Sequence, residues 1–288
     1  MVLTPQRPAG LGARAVAGLL RFASGLGLVH WLQRMPFIYQ PLRSLLVSSA
    51  GGPDRPREIL NGPLAGFRMV LGPHDRNAYL LNTHEPAIVE LAAGLCRPGM
   101  HVLDVGAHVG YFSLLFAVRT GSAGRVTTLE PNPANVAKIR AMIAANALEN
   151  IELLPLAASD ADGTVEFATE ETGQMGHITP AQSAARPGVV TVQATRIDTL
   201  SARPGFRPVD LLKLDVEGAE VAALHGMAAL LVRDRPIIIC EWHPAAAGSD
   251  FSTTFQSLGY ECELLEPASN TTPFHLLARP ARATRPHA

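Results

Sequence analysis

No acidic side chain precedes Asp54 in this chain of 288 residues, although Arg7, Arg14, Arg21, Arg34 and Arg43 all stand there. The same stretch lacks a long unbroken apolar run, because residues 11–32 are interrupted by Arg14, Arg21 and His30. A bilayer-spanning helix needs about 20 nearly uninterrupted apolar residues, so a membrane span is excluded here. Arg21 also breaks what would be the apolar core of a signal peptide. Arg14 and Arg21 fall on one face of a helix. Residues 1–54 are therefore expected to form a basic helical segment that packs on the rest of the chain or a neighbouring subunit, or that touches an anionic membrane surface. Gly51-Gly52-Pro53-Asp54-Arg55-Pro56 reads as a linker into one domain over 55–288.

Cysteine is scarce too. Cys96, Cys240 and Cys262 are an odd number, far apart, with no Cys-x-x-Cys pair, so neither a disulfide framework nor a zinc site follows. Reduced thiols in a cytoplasmic protein are expected. Charge of either sign is not in excess: 24 Lys and Arg against 25 Asp and Glu exclude a global field that draws nucleic acid.

Between residues 100 and 240 short apolar runs alternate with helical patterns. The runs are MHVLDV, GRVTTLE, IELLPLA, VDLLKLD and PIIICEW, and the helical patterns follow Gly110, Asn132 and Gly218. Strands apolar on both faces, each followed by a helix, imply parallel βαβ units and a doubly wound α/β sheet. The interval 163–197 interrupts this rhythm with two strand-like runs, TVEFAT and VVTVQAT, and reads as a hairpin-like insertion with its tip at 170–188. ECELLE and FHLLAR, close together across a turn, predict a terminal antiparallel pair.

The first run ends in Leu103-Asp104-Val105-Gly106-Ala107-His108-Val109-Gly110. A dinucleotide site wants Gly-x-Gly-x-x-Gly to seat a pyrophosphate, and that pattern is missing. Asp104 suits a cationic or zwitterionic ligand, such as the amino-acid part of S-adenosylmethionine. Glu130 ends the second run, where an acid accepts hydrogen bonds from the hydroxyls of an adenosine ribose. Ser159 and Asp160 end the third, where a polar side chain would meet an adenine edge or simply make a turn. Asp215, Glu217 and Glu220 crowd the end of the fourth beside Lys213, a costly cluster unless the acids are paired or used. Glu220 also reads as a first-turn acid favouring the helix dipole. The fifth run delivers Glu241 and His243 to the same rim.

In four blocks the chain resembles the FkbM family of S-adenosylmethionine-dependent methyltransferases: His84-Glu85-Pro86, Leu103 to Tyr111, Leu129-Glu130-Pro131-Asn132, and Lys213 to Glu220. The resemblance implies a seven-stranded, mostly parallel, Rossmann-like class I methyltransferase fold and methylation of a hydroxyl on a small molecule, such as a polyketide-type natural product or a sugar. It places S-adenosylmethionine against Asp104, Gly106, Ala107, His108, Gly110, Glu130, Asn132, Ser159, Asp160 and Asp215. His108 departs from the family, which more often has Asn there. His243 is the first candidate for the base that takes the hydroxyl proton, with Glu241 orienting it and Asp215 or Glu217 as alternatives. A divalent cation held by Asp215, Glu241 and His243 is a second, less favoured way to ionise the acceptor. Gln174, His177 and the His84-Glu85 segment are candidates for substrate recognition. An NAD-dependent oxidoreductase and a non-catalytic adenosine-binding scaffold are the competing functions.

Overall fold

Proline, glycine and the two-residue rhythm of apolar side chains set the boundaries of the elements. A computed structural model describes residues 55–72, 78–169, 176–179, 188–244, 250–269 and 271–281. The expected N-terminal helical segment, with its subunit or membrane contact, lies outside the described residues. So do Gln174 and most of the 170–188 tip.

An antiparallel pair, β1 (Pro56–Glu58) and β2 (Arg68–Val70), leads to the helix Pro86–Leu95. The parallel strands β3 (His101–Val105), β4 (Arg125–Leu129) and β5 (Ile151–Leu154) follow, connected by the helices Tyr111–Thr120 and Pro133–Asn146. The run IELLPLA does not continue as one strand. Pro155 has no N–H to donate to a ladder, and beyond it β6 (Ala157–Ala158) joins a different sheet.

That second sheet is the insertion, and it has more strands than the two its sequence suggested. β7 (Gly163–Thr169), β8 (Gly176–Thr179) and β9 (Val189–Thr195) stand in the order β6-β9-β7-β8. The chain then returns to the main sheet through β10 (Leu211–Leu214), the helices Glu220–Gly226 and Ala228–Asp234, and β11 (Ile237–Trp242). The helix Phe251–Ser257 precedes β12 (Tyr260–Leu264) and β13 (Phe274–Pro280), the expected antiparallel pair. The main sheet has seven strands in the order β12-β13-β11-β10-β3-β4-β5, with β13 antiparallel to both neighbours.

Alternation along these strands builds a core on each face. Val102, Val126, Leu211, Ile239 and Leu277 pack with Leu114, Phe116, Ile139 and Met142 on one side. Leu103, Val105, Leu129, Leu212, Leu214, Ile238, Cys240, Trp242 and Leu276 pack with Leu224 and Leu230 on the other. The same alternation sends Asp104, Lys213, Glu241 and His275 to the first face, and Asp104 pairs in register with Lys213, and Glu241 with His275. A band of polar groups thus crosses an otherwise apolar layer. Cys96 and Cys240 are buried and Cys262 is half-buried, all as free thiols. No helix among the described residues is long and apolar enough to cross a membrane.

Candidate active site

The strands β3, β4, β10 and β11 all end on one rim of the sheet, and their exit turns close on one another. Gly106 adopts φ 84°, and a Cβ there would stand 1.7 Å from the carbonyl oxygen of Asp215. Only glycine lets the turns after β3 and β10 approach so closely. His108 follows at φ 52°, in the left-handed region that Asn tolerates better than most residues. Its N–H donates to Glu130 Oε2 at 2.7 Å, and its Nδ1 lies 3.2 Å from the Tyr79 hydroxyl.

Glu130 is buried at the end of β4, where Oε1 accepts the Asn132 N–H at 2.8 Å. Burial pushes its carboxyl up to about 7, against the hydrogen bonds from Asn132 and His108. Asn132 Oδ1 accepts the Ala134 N–H at 3.0 Å and so caps the helix Pro133–Asn146. Gly106, Ala107, His108, Glu130 and Asn132 line an open cleft on the rim. Ala157, Ala158 and Phe167 line it from the second sheet, and Tyr79, His84 and Glu85 from the segment ahead of the helix Pro86–Leu95.

Lys213, Asp215, Glu217 and Glu241 complete the lining. The Lys213 ammonium donates to Asp215 Oδ2 at 2.8 Å and lies 4.8 Å above the Phe112 ring. Burial would raise the Asp215 carboxyl, but the Lys213 charge and hydrogen bond, together with the His243 charge and a hydrogen bond from Glu241, outweigh it and hold the group below the usual carboxylate range. Glu241 is displaced the other way: burial, and then the Asp215 charge, push it up to about 8.

Other expected site residues stand apart from this lining. Asp104 is fully buried beside Lys213, beneath the helix Tyr111–Thr120, with Oδ1 free of any hydrogen-bond partner. There Oδ2 accepts the Ser113 hydroxyl at 2.6 Å, and Ser113 accepts the Thr128 hydroxyl at 3.1 Å. Gly110 sits behind the lining, where a Cβ would meet Ile139 and Met142 at 3.0 Å. Ser159 and Asp160 lie past the cleft, in a turn whose Ser159 N–H donates to the Thr195 carbonyl at 3.0 Å.

His243 is the largest change. Its Nδ1 lies 2.8 Å from Glu220 Oε1 and its Nε2 lies 3.1 Å from Glu217 Oε2. Burial alone would lower this imidazole, but the hydrogen bonds to Glu217 and Glu220 raise it to about 10. Both nitrogens thus face carboxylates, and a doubly protonated imidazole has no lone pair with which to accept a proton. Glu220, read first as a helix-dipole acid, is completely buried beside it.

Two sets of potential ligands share Glu241. Atoms of Asp215, Glu241 and His243 lie within 4.8 Å of one another, and so do atoms of Glu85, Glu241 and His275. His275 and Phe167 were not anticipated from the sequence. The available hint for His275 was one imidazole in the apolar run FHLLAR; Phe167 had none.

A seven-stranded sheet with a glycine turn after its first parallel strand, an acid after its second and a cleft over that rim define a Rossmann-like class I methyltransferase fold. Residues 104–263 match the model of the methyltransferase FkbM domain, and the chain belongs to that family. Among curated relatives, a 2-O-methyltransferase, NoeI, from Sinorhizobium fredii is 23% identical over 51% of this chain and 65% of its own length. A protein-L-isoaspartate O-methyltransferase from Triticum aestivum is 34% identical over 31% of this chain and 34% of its own length. The matched segments thus span from about a third to just under two thirds of those relatives. A solved FkbM methyltransferase from Methylobacillus flagellatus aligns with a TM-score of 0.43 and 16% identity, over 71% of this chain and 55% of that one.

Proposed function

We propose that the protein transfers a methyl group from S-adenosylmethionine to a hydroxyl of a small molecule. The observation that carries this reading is a single cleft with Glu130 and the Gly106–Val109 turn in one part and the carboxylates of Glu85, Asp215, Glu217 and Glu241 in another. The lining fits the cofactor. Each Glu130 oxygen that accepts a backbone N–H keeps a second lone pair for a ribose hydroxyl. Ala157, Ala158 and Phe167 offer an apolar wall for adenine, and Asp215 and Glu217 offer negative charge for an ammonium group. When bound, S-adenosylmethionine supplies a methyl carbon made electrophilic by its sulfonium.

This chain's own work is alignment and proton removal. Asp215 and Glu241 would take the hydroxyl proton as the acceptor oxygen receives the methyl group. Lys213 holds Asp215 in position, and His243 clamps Glu217 to the turn after β10. The hydroxyl acceptor has the support of the distant 2-O-methyltransferase relative.

Calorimetry with S-adenosylmethionine, S-adenosylhomocysteine and NAD tests the cofactor. Both sulfur ligands are expected to bind and NAD not to; preference for NAD would end the proposal. Transfer of labelled methyl to a panel of sugars and hydroxylated polyketides tests the acceptor. A label that withstands alkali is an ether, whereas a label released by alkali is an ester and would move the reaction to carboxylates.

A further inference from the structure

Where β11 pairs with β13, Glu241 stands directly opposite His275, so both side chains project from the same face. His275 is only 7% exposed. Its Nδ1 lies 2.8 Å from Glu266 Oε1, which also accepts the backbone N–H of His275 at 2.6 Å. A carboxylate at Nδ1 keeps the ring proton there and aims Nε2 between Glu85 and Glu241, so a cation bound at Nε2 takes the place of the proton those acids favour. That Nε2 is buried without a hydrogen-bond partner, 3.5 Å from Glu85 Oε2 and 3.9 Å from Glu241 Oε2. Both separations exceed a well-formed hydrogen bond. They suit a different arrangement. Around a tetrahedral cation with donors at about 2.1 Å, neighbouring donors stand about 3.4 Å apart.

We propose that Glu85, Glu241 and His275 bind one divalent transition-metal cation of the Mn²⁺ or Zn²⁺ kind at the edge of the cleft, with Glu266 as the outer carboxylate that orients the imidazole. An imidazole with two carboxylates favours these ions over Mg²⁺ and Ca²⁺, which prefer oxygen alone. Two carboxylates match the charge of the ion, and the ion offsets the repulsion between these half-buried acids. The overlapping set of Asp215, Glu241 and His243 is the poorer site, because Glu220 and Glu217 occupy both nitrogens of His243. What the ion would do rests on the methyl-transfer reading: a hydroxyl that coordinates it ionises more readily, and its proton then goes to Asp215. Binding itself does not depend on that reading.

The test uses the full chain, stripped with a chelator and then titrated with Mn²⁺ followed by electron paramagnetic resonance, and with Zn²⁺ followed by competition against a chromophoric chelator. One saturable site per chain is expected. Glu85→Gln, at the accessible edge of the set, is expected to weaken binding at least tenfold, and His275→Asn to abolish it. Glu266→Gln is expected to weaken it by about 10- to 100-fold, the usual effect of losing an outer carboxylate. His243→Gln is expected to leave affinity within about twofold. Wild-type protein that shows no saturable site, or Glu85→Gln that binds like wild type, overturns the proposal. So does loss of binding in His243→Gln with Glu85→Gln unaffected, which would move the ion to the other set. Calorimetry with S-adenosylhomocysteine on the stripped protein keeps the two readings apart: cofactor binding without metal binding defeats only this inference.

Discussion

At the scale of single residues, charge in this protein is sorted by whether water or a partner is available. Glu130 faces the cleft with both oxygens already held by backbone N–H groups, so its orientation is set before any ligand arrives. Glu130→Gln replaces one acceptor with a donor that opposes one of those N–H groups. A hydrogen bond to a charged group contributes about 1.5–3 kcal/mol, so the dissociation constant for S-adenosylhomocysteine is expected to rise by about tenfold or more in calorimetry. An unchanged constant would remove Glu130 from the cofactor site. His243 serves stability instead. Its removal leaves Glu220, which has no access to water, with the Gly218 N–H in place of a cation. His243→Gln is therefore expected to lower unfolding free energy by about 3 kcal/mol, the usual consequence of breaking a buried ion pair from one side. A denaturation midpoint equal to the wild type would show that the Gly218 N–H alone is enough to hold the Glu220 charge.

At the scale of elements, the turns that close the rim couple strands that are distant in sequence. Gly106 meets the backbone of Asp215 and carries a positive φ, so a methyl group there meets both steric conflict and strain. Gly106→Ala is expected to lose about 2 kcal/mol of stability or more and to weaken cofactor binding, since both flanking turns line the cleft. A variant that melts and binds like wild type would show that the turn has room. This coupling also explains what was legible in the sequence. Gly106, Glu130, Asn132 and Asp215 stand at contiguous strand tips, and a strand tip in a parallel sheet points to the ligand rim without further knowledge. Asp104 is one strand residue short of that tip, where alternation decides its direction, and it turns beneath the helix Tyr111–Thr120. His275 meets Glu241 only through the antiparallel register of β11 with β13, and Glu85 reaches them from the opposite end of the chain order. Phe167 belongs to an insertion whose return over the cleft is set by packing. Such contacts leave no local pattern.

At the scale of the whole molecule, the two edges of the main sheet are built for different purposes. The rim at the carboxyl ends of the strands opens on a cleft, while the opposite edge is sealed over one imidazole with Arg125, Arg207 and Asp210 around it. His101 begins β3 at that sealed edge and is completely buried. Its Nδ1 lies 2.8 Å from the Arg207 carbonyl, its Nε2 2.9 Å from the Thr127 hydroxyl, and its ring edge packs on Phe206 at 5.1 Å. Burial first, and then the charges of Arg125 and Arg207, hold its pKa below the ordinary value of 6.5, against the bond to the Arg207 carbonyl. In the unfolded chain the same imidazole takes up a proton near 6.5, whereas the folded protein resists it. The unfolded state then binds more protons, so stability is full above that value and declines as pH falls below it, by up to about 1.4 kcal/mol per pH unit. His243 works in the opposite sense: its contribution is complete below 6.5 and is lost as pH rises toward about 10, so it adds no slope in the acid window. The raised carboxyls of Glu130 and Glu241 act the other way in this window, because the folded state takes up their protons first, so His101 is read from a difference: between pH 7 and pH 5.5 the urea midpoint of the wild type is expected to fall more, or rise less, than that of His101→Gln, which titrates in neither state. Equal changes in the two proteins would mean that the sealed edge already accommodates a charged imidazole.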